Sequence, residues 1–155
     1  MSKIYHIIVI SVLLLLTLSC SSTSQMGKIY KPEEANKLFG NVIYSVGINS
    51  NSLSELLKKT DKSIMFGLID RQLIILDNNR NIIFPEKAEF KETDVFTVYS
   101  TNVVMELLSN KALNKQTDGD ADSVSIEQRR EVLSVSTDAN TLENGTKCPP
   151  LCPQD

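Results

Sequence analysis

Short apolar runs separated by polar turns fill the chain between residues 41 and 136, and this pattern constrains the fold more than any other feature. Runs rich in β-branched and aromatic residues predict strands at 41–48, 64–69, 73–76, 82–84, 95–99, 124–127 and 132–136. Two segments carry apolar residues at i, i+3 and i+4, as one face of a helix does: Leu53, Leu56 and Leu57, and Val104, Leu107 and Leu108. The sequence therefore predicts an α+β domain over 38–138, with a small antiparallel or mixed sheet and two short helices on one face.

The order strand, helix, strand, strand occurs twice, over 41–85 and 94–138. Tyr44-Ser45 recurs as Tyr99-Ser100, and the helix segment 53–57 recurs as 104–108. We interpret this as a duplicated βαββ unit, the alternative being two ordinary segments made similar by their periodicity. Strands of the first unit are apolar at successive positions and those of the second alternate. This difference predicts that the first unit is central and that the second has one face exposed to water.

The start of the first helix is predicted from a capping-box pattern, Ser52-Leu53-Ser54-Glu55. In this pattern a serine side chain caps the helix and a glutamate three residues later returns a hydrogen bond. The Asn-Ser-Asn that precedes it is interpreted as a turn.

Residues 1–19 have the order of an export signal. Lys3 precedes an apolar run from Ile7 to Leu18, and small residues follow. A helix of this run is about 18 Å long, which is too short for a hydrocarbon core of about 30 Å. The sequence therefore predicts a cleaved signal peptide rather than a stable transmembrane helix.

The segment that ends the leader, Leu16-Thr17-Leu18-Ser19-Cys20, resembles the lipobox of bacterial lipoproteins. It departs from the commonest form, which has Leu where this chain has Thr17 and a small residue where it has Leu18. The resemblance implies that Cys20 receives a diacylglyceryl group and becomes the N-terminus, so that several acyl chains anchor the protein to a membrane. The alternative is an ordinary secretory signal in which Cys20 is incidental.

The residues after Cys20 indicate which membrane holds the protein and how the domain is connected to it. Ser21, rather than Asp, follows the cysteine, which in lipoproteins of the enteric type implies the outer membrane of the cell envelope. From there to Lys37 the chain is polar around a single Pro32. This composition predicts a flexible tether over 20–37.

Charge and histidine content exclude several kinds of chemistry. The whole chain has a formal net charge of −3, and its only histidine, His6, lies in the leader. The mature chain therefore lacks imidazole for Ser-His, Cys-His or zinc chemistry, and it shows no basic patch for nucleic acid. No pair of acids is singled out by spacing for general acid-base catalysis, so the sequence favours a non-enzymatic protein without a cofactor.

Two cysteines lie in the polar tail predicted over 139–155, within Cys148-Pro149-Pro150-Leu151-Cys152-Pro153. Since lipidation uses Cys20, the remaining pair is even, and outside the cytoplasm we predict a disulfide between Cys148 and Cys152. The hexapeptide is also similar to the CxxxCP copper site of the Sco family of copper chaperones. That resemblance implies copper binding or thiol redox chemistry by the two sulfurs. The Sco family adds a distant histidine and a thioredoxin-like fold, neither of which this sequence supplies.

Two weaker motifs are interpreted as loops. Asp118, Asp120 and Asp122 alternate as at the start of a calcium loop, but the sixth and twelfth positions hold Ser123 and Arg129, so a solvated acidic loop is predicted. The glycosylation-like segment 144–146 is interpreted as a turn.

Together these features predict a lipid-anchored envelope protein that binds or supports a protein partner. The apolar strands 73–76 and 82–84 are candidate interaction edges as well as candidate core. An envelope thiol-redox or copper protein acting through Cys148 and Cys152 is the alternative, and a hydrolase with unidentified acids is a third hypothesis.

Overall fold

A computed structural model of the chain describes residues 25–113, 123–130 and 132–149. Two five-stranded antiparallel sheets and three helices form an α+β fold, so the predicted class is confirmed. The first sheet has the order β1 (Lys28–Tyr30), β9 (Thr141–Glu143), β8 (Leu133–Ser136), β7 (Ser123–Gln128) and β2 (Tyr44–Asn49). The second has the order β10 (Thr146–Cys148), β6 (Phe96–Ser100), β3 (Ser63–Ile69), β4 (Gln72–Leu76) and β5 (Ile82–Phe84). The helices are α1 (Pro32–Phe39), α2 (Ser50–Leu57) and α3 (Thr101–Leu113).

The two βαββ units exchange their first strands between the sheets, which accounts for two sheets where one was predicted. Strand β2 pairs with β7 of the second unit, and β6 pairs with β3 of the first. The registers correspond, because Asn49 lies opposite Ser123 just as Ser100 lies opposite Ser63. The structure thus makes Asn49 equivalent to Ser100, and the predicted recurrence of Tyr44-Ser45 as Tyr99-Ser100 was wrong. The duplication itself stays a prediction, but the two units share their order, their pairing scheme and this register.

The main core lies between the two sheets and is completed by α2 and α3. Its largest fully buried side chains include Phe66 and Tyr99 from the second sheet, Ile126 and Leu142 from the first, and Leu53 and Leu107 from the helices. The first sheet contributes only alternate residues to this core. Its opposite face carries Ser, Thr and Glu side chains, but Ser134 and Ser136 of β8 are buried there, so the predicted exposure of the second unit to water was wrong for this strand.

The second sheet is apolar on both faces. A second cluster on its other side contains Met65, Ile74, Leu76, Phe96, Val98 and Cys148, and it is covered by Ala88 and Phe90 of the segment between β5 and β6. Strands covered on both faces require apolar residues at successive positions. Strands β3 and β4 of the first unit are therefore central, and 73–76 belongs to the core rather than to an edge. The predicted central place of the whole first unit was wrong for β2, which is an edge strand, and β6 of the second unit is fully buried.

Helix α2 begins earlier than the capping box predicted. Asn49 is the N-cap, and its side chain accepts hydrogen bonds from the backbone N–H groups of Asn51 at 2.9 Å and Ser52 at 3.2 Å. The prediction that Ser52 caps this helix was wrong. Asparagine caps helices as well as serine does, and here it already stands at the end of a strand.

Two segments, one predicted to be a flexible tether and the other a polar tail, are partly built into the sheets. The range 20–37 contains β1 and most of α1, and the range 139–155 contains β9 and β10. Pairing of β1 with β9 supplies backbone hydrogen bonds, and Tyr30 and Ala35 supply buried contacts. Composition alone missed this because a sheet edge stabilises short polar strands that have no stability of their own.

Candidate functional site

Of the three predicted site residues, only Cys148 lies within the described residues. It ends β10 and is fully buried in the second cluster. The Nη1 of Arg80 donates to its Sγ at 2.9 Å, and the guanidinium of Arg80 stacks on Phe90 and Phe96, 5.4 and 5.5 Å from the ring centroids. Cys20 and Cys152 lie outside the described residues. Lipidation of the former and the disulfide with the latter stay predictions.

The two weak motifs are placed as follows. Residues 118–122 of the calcium-like segment lie outside the described residues, and Ser123 begins β7. Asn144 and Gly145 connect β9 to β10, and Asn144 adopts a φ of 61° and donates a hydrogen bond to the hydroxyl of Tyr30. This connection crosses from the first sheet to the second, and Thr146 already belongs to β10, so the prediction of a turn over 144–146 was wrong.

A buried polar network that the sequence did not predict lies on the polar face of the first sheet. Its centre is Arg129, which follows β7 and is 2 % exposed. Nε of Arg129 lies 2.9 Å from Oε1 of Glu143 and donates to Oγ of Ser134 at 3.0 Å, and Nη2 lies 2.9 Å from Oε2 of Glu127. Three adjacent strands, β7, β8 and β9, therefore contribute side chains to one guanidinium.

The same guanidinium fastens α1 to the sheet. Nη1 of Arg129 donates to Oδ1 of Asn36 at 2.6 Å and to the carbonyl oxygen of Gly40 at 2.5 Å. Gly40 ends the helix with a φ of 89°, a region that disfavours residues with a Cβ, and its N–H donates to the carbonyl of Asn36. Because all three nitrogens of Arg129 have partners within the protein, the network positions α1 and the residues after it.

Glu143 is the most desolvated member of the network. It is 0 % exposed, Oε1 accepts from Ser134 at 2.5 Å, and Oε2 has no hydrogen-bond partner among the described residues. Burial raises the pKa of Glu143, and the hydrogen bond from Ser134 and the charge of Arg129 offset this only in part. Burial, followed by the charge of Glu143, also raises the pKa of Tyr99 well above its usual value.

The raised pKa of Glu143 predicts that stability falls as the pH rises. Between the ordinary pKa of 4.5 and the raised one, the folded protein binds more protons than the unfolded chain, so the free energy of unfolding decreases through that interval and levels off above it. Glu143→Gln is expected to abolish this pH dependence of the free energy of unfolding, even if it also changes the stability itself. Urea unfolding of both proteins from about pH 4.5 to neutrality measures the slope.

Groups facing Glu143 from neighbouring elements are Arg129, Glu127, Ser134 and Tyr99, of which Arg129 stays charged over this range. Glu127→Gln is the matched control, since it removes a carboxylate from the same guanidinium at a less buried position. Equal slopes in the wild type and Glu143→Gln would contradict the assignment.

Next to this network the protein exposes apolar side chains at the end of α1 and along β2. Leu38, Val42 and Ile43 are 57, 40 and 70 % exposed, and Tyr44 and Val46 are half-buried. We call these five residues the β2 surface. Leu38, Val42 and Ile43 lie within six positions of one another and lead into an edge strand, and exposed aliphatic side chains at such a place are a feature of protein-binding sites.

The hairpin between β3 and β4 contacts this surface. The hydroxyl of Tyr44 donates to the carbonyl of Arg71 at 3.2 Å, and the guanidinium of Arg71 lies 6.0 Å from the centre of the Tyr44 ring. Asp70 and Arg71 both adopt positive φ, at 50° and 66°, as a two-residue turn requires. Tyrosine and arginine are the residue types most enriched at the energetic centres of interfaces.

Sequence reasoning missed both features for identifiable reasons. Arg129 was considered as the twelfth position of the calcium-like segment, and Ile43 as part of a strand. The signal in the sequence was the alternation of polar and apolar residues, which places Glu127, Ser134 and Glu143 on the face of the sheet away from the core. Their convergence depends on the pairing of β7, β8 and β9, which one sequence does not reveal.

No model of a known protein family matches the chain, and no curated protein or solved structure is significantly similar to it. Within residues 25–113, 123–130 and 132–149, no group of three or more His, Cys, Asp or Glu side chains is arranged to hold a metal ion. In the same part of the chain, no helix is long and apolar enough to cross a membrane.

Proposed function

We propose that this protein is a lipid-anchored component of the bacterial cell envelope that binds a protein partner through the β2 surface, in a non-enzymatic role. The observation that supports the proposal best is the exposure of Leu38, Val42 and Ile43 beside an edge strand. Burying such side chains against a partner is favourable by about 25 cal/mol for each Å² of apolar surface.

The network around Arg129 supports a binding role because it orders the surface in advance. Its hydrogen bond to the carbonyl of Gly40 fixes the chain between Leu38 and Val42, and the N–H of Ile43 is fixed by the carbonyl of Gln128 at 2.8 Å. A surface that is already ordered loses less conformational entropy on binding. This accounts for apolar side chains that stay exposed on a fixed backbone.

The proposed anchor places the surface close to a membrane. Strand β1 begins at Lys28, so that eight residues, 20–27, lie between the predicted lipid and the sheet. Even fully extended, they span at most about 30 Å. A partner of the domain therefore lies at or near the membrane surface, and Ser21 favours the outer membrane over the inner one.

Site-specific photocrosslinking in intact cells tests this function. A photoreactive amino acid at Ile43 of the full-length chain is expected to capture a protein of defined mass in the membrane fraction. The same amino acid at Thr93, which is exposed on another part of the surface, is expected to capture none. The capture should weaken in Cys20→Ala, because the soluble protein leaves the membrane.

Two results would contradict the proposal. Equal capture at Ile43 and Thr93 would show that the β2 surface is not selective. A wild-type chain that fractionates as a soluble protein, with no acyl mass on Cys20, would refute the anchor.

A further inference from the structure

We propose that β2 is the site of self-association, where two copies of this chain pair their β2 strands antiparallel and join their first sheets into one. This rests on the proposed binding function of the β2 surface and names its partner as a second copy. Four observations support it: the internal symmetry of the fold, the composition of the edge strands, the half-buried Tyr44 and Val46 of β2, and the space around Gly47.

The internal symmetry identifies an open position beside β2. The corresponding strands β2 and β6 each lead directly into a helix, with Ile48 and Tyr99 in the core two residues before it. Strand β6 has β3 on one side and β10, antiparallel, on the other. Strand β2 has β7 on one side, and no described strand lies on the other.

The position beside β2 is accessible to a strand, as the other half of the fold demonstrates. Helix α3 follows β6 without blocking the pairing of β10. Helix α2 follows β2 in the same way and is shorter, with eight residues against thirteen. An added strand can therefore approach β2 as β10 approaches β6.

The other three edge strands carry the features that prevent strand addition, and β2 does not. Strand β1 contains Lys28 and is soon followed by Pro32, β5 is followed by Pro85, and β10 contains Lys147 and is followed by Pro149. Lysine and proline at edges discourage pairing with another chain. Residues 42–49 contain no charged residue and no proline.

A second copy complements β2 through its own apolar face. With Val46 opposite Val46 of the other copy, Tyr44 lies opposite Ile48, and all these side chains are on the face that adjoins the core. Pairs of aromatic and β-branched residues stabilise antiparallel strands. The half-buried Tyr44 and Val46 would become covered, and the apolar face would continue from one copy to the next.

Neither sterics nor charge opposes this register. Ser45 lies opposite Gly47 on the outer face, where a Cβ added to Gly47 would meet no atom within 4 Å. A cation that adjoins this strand, Arg71, lies over Tyr44. Tyr44 of one copy is about 13 Å along the strands from Tyr44 of the other, beyond the screening length of about 8 Å at physiological salt.

A charge-pair variant tests the proposal on the full chain purified in detergent. Ser45→Lys with Gly47→Lys places a lysine of one copy opposite a lysine of the other at two positions, and both positions are exposed, so we expect the fold to be retained. Light scattering with chromatography is expected to give a dimer mass for the wild type. The double variant is expected to dissociate about tenfold or more readily.

The matched control is Asn79→Lys with Thr93→Lys, which adds the same charge at exposed positions outside β2 and should remain dimeric. Melting temperatures of the three proteins identify any loss of fold. A monomeric wild type overturns self-association, and a double variant that dimerises like the control overturns the β2 edge as its site. Capture of a different protein at Ile43 by a monomeric chain would refute this inference while leaving the proposed function intact.

Discussion

Replacing Arg129 by alanine is expected to lower the free energy of unfolding by about 3–5 kcal/mol. The guanidinium is the counter-charge of the fully buried Glu143 and also holds Asn36 and Gly40 of the α1 region. Removing it leaves a buried carboxylate that keeps the hydrogen bond from Ser134 but has no counter-charge, which costs more than the intact pair contributes. Since whole domains are stable by about 5–15 kcal/mol, the variant should fold marginally and unfold at much lower urea concentration.

The neighbouring residue provides the control for this prediction. Arg130→Ala removes the same side chain at an exposed position and should change stability by about 0.5 kcal/mol or less. Adding Glu143→Gln to Arg129→Ala should recover part of the loss, because the uncompensated charge disappears. Equal midpoints for Arg129→Ala and Arg130→Ala in urea would show that the network does not stabilise the fold.

Replacing Tyr99 by alanine is expected to destabilise the protein by about 3–5 kcal/mol. Its ring is fully buried in the main core, with the Phe66 ring centroid 6.3 Å away. Its hydroxyl donates to the carbonyl of Leu133 at 2.5 Å and lies 3.3 Å from that of Leu142, so this side chain joins the second sheet to two strands of the first. The expected decrease in the free energy of unfolding has two causes, the large cavity and the loss of the hydrogen bonds between the sheets.

Tyr99→Phe separates the two contributions. It keeps the ring and removes only the hydroxyl, and we expect a loss of about 1–3 kcal/mol. Tyr44→Phe removes a hydroxyl from an exposed hydrogen bond and should be nearly neutral. Thermal and urea unfolding measure all three, and a Tyr99→Phe variant as stable as the wild type would refute the role of the hydroxyl.

Most secondary structure could be predicted from the sequence because it follows from local chemistry. The alternation of Val124 and Ile126 predicted a half-buried strand, and the apolar runs 64–69 and 73–76 predicted two strands. Both were confirmed. Periodicity reports which side chains share a face, and that is enough for elements of this kind.

The division into two sheets could not be predicted in the same way. It depends on β2 and β6 pairing with the other unit, and pairing is set by contacts between residues far apart in the chain. Strands β1 and β9 were missed for a related reason. Each has three residues, and each is stable because a neighbouring strand supplies its hydrogen bonds.

The candidate site was the least predictable part. Arg129 lies in a charged stretch that suggests solvent exposure, and its burial follows from Glu143, Ser134 and Asn36 meeting at one point. The exposure of Ile43 follows from the place of β2 at the end of the order β1-β9-β8-β7-β2. An apolar residue in a strand usually belongs to the core, and only the strand order shows whether it is instead exposed at an edge.

Amide hydrogen exchange of the full chain over a range of protein concentrations tests most directly whether β2 is a binding edge. The account predicts that backbone N–H groups within Tyr44–Asn49 exchange more slowly as concentration rises, because those that face away from β7 gain partners. Exchange in the other edge strands, β1, β5 and β10, should not change with protein concentration. Exchange in β2 that is the same at every concentration, in a chain that remains folded, would contradict the claim that this edge associates.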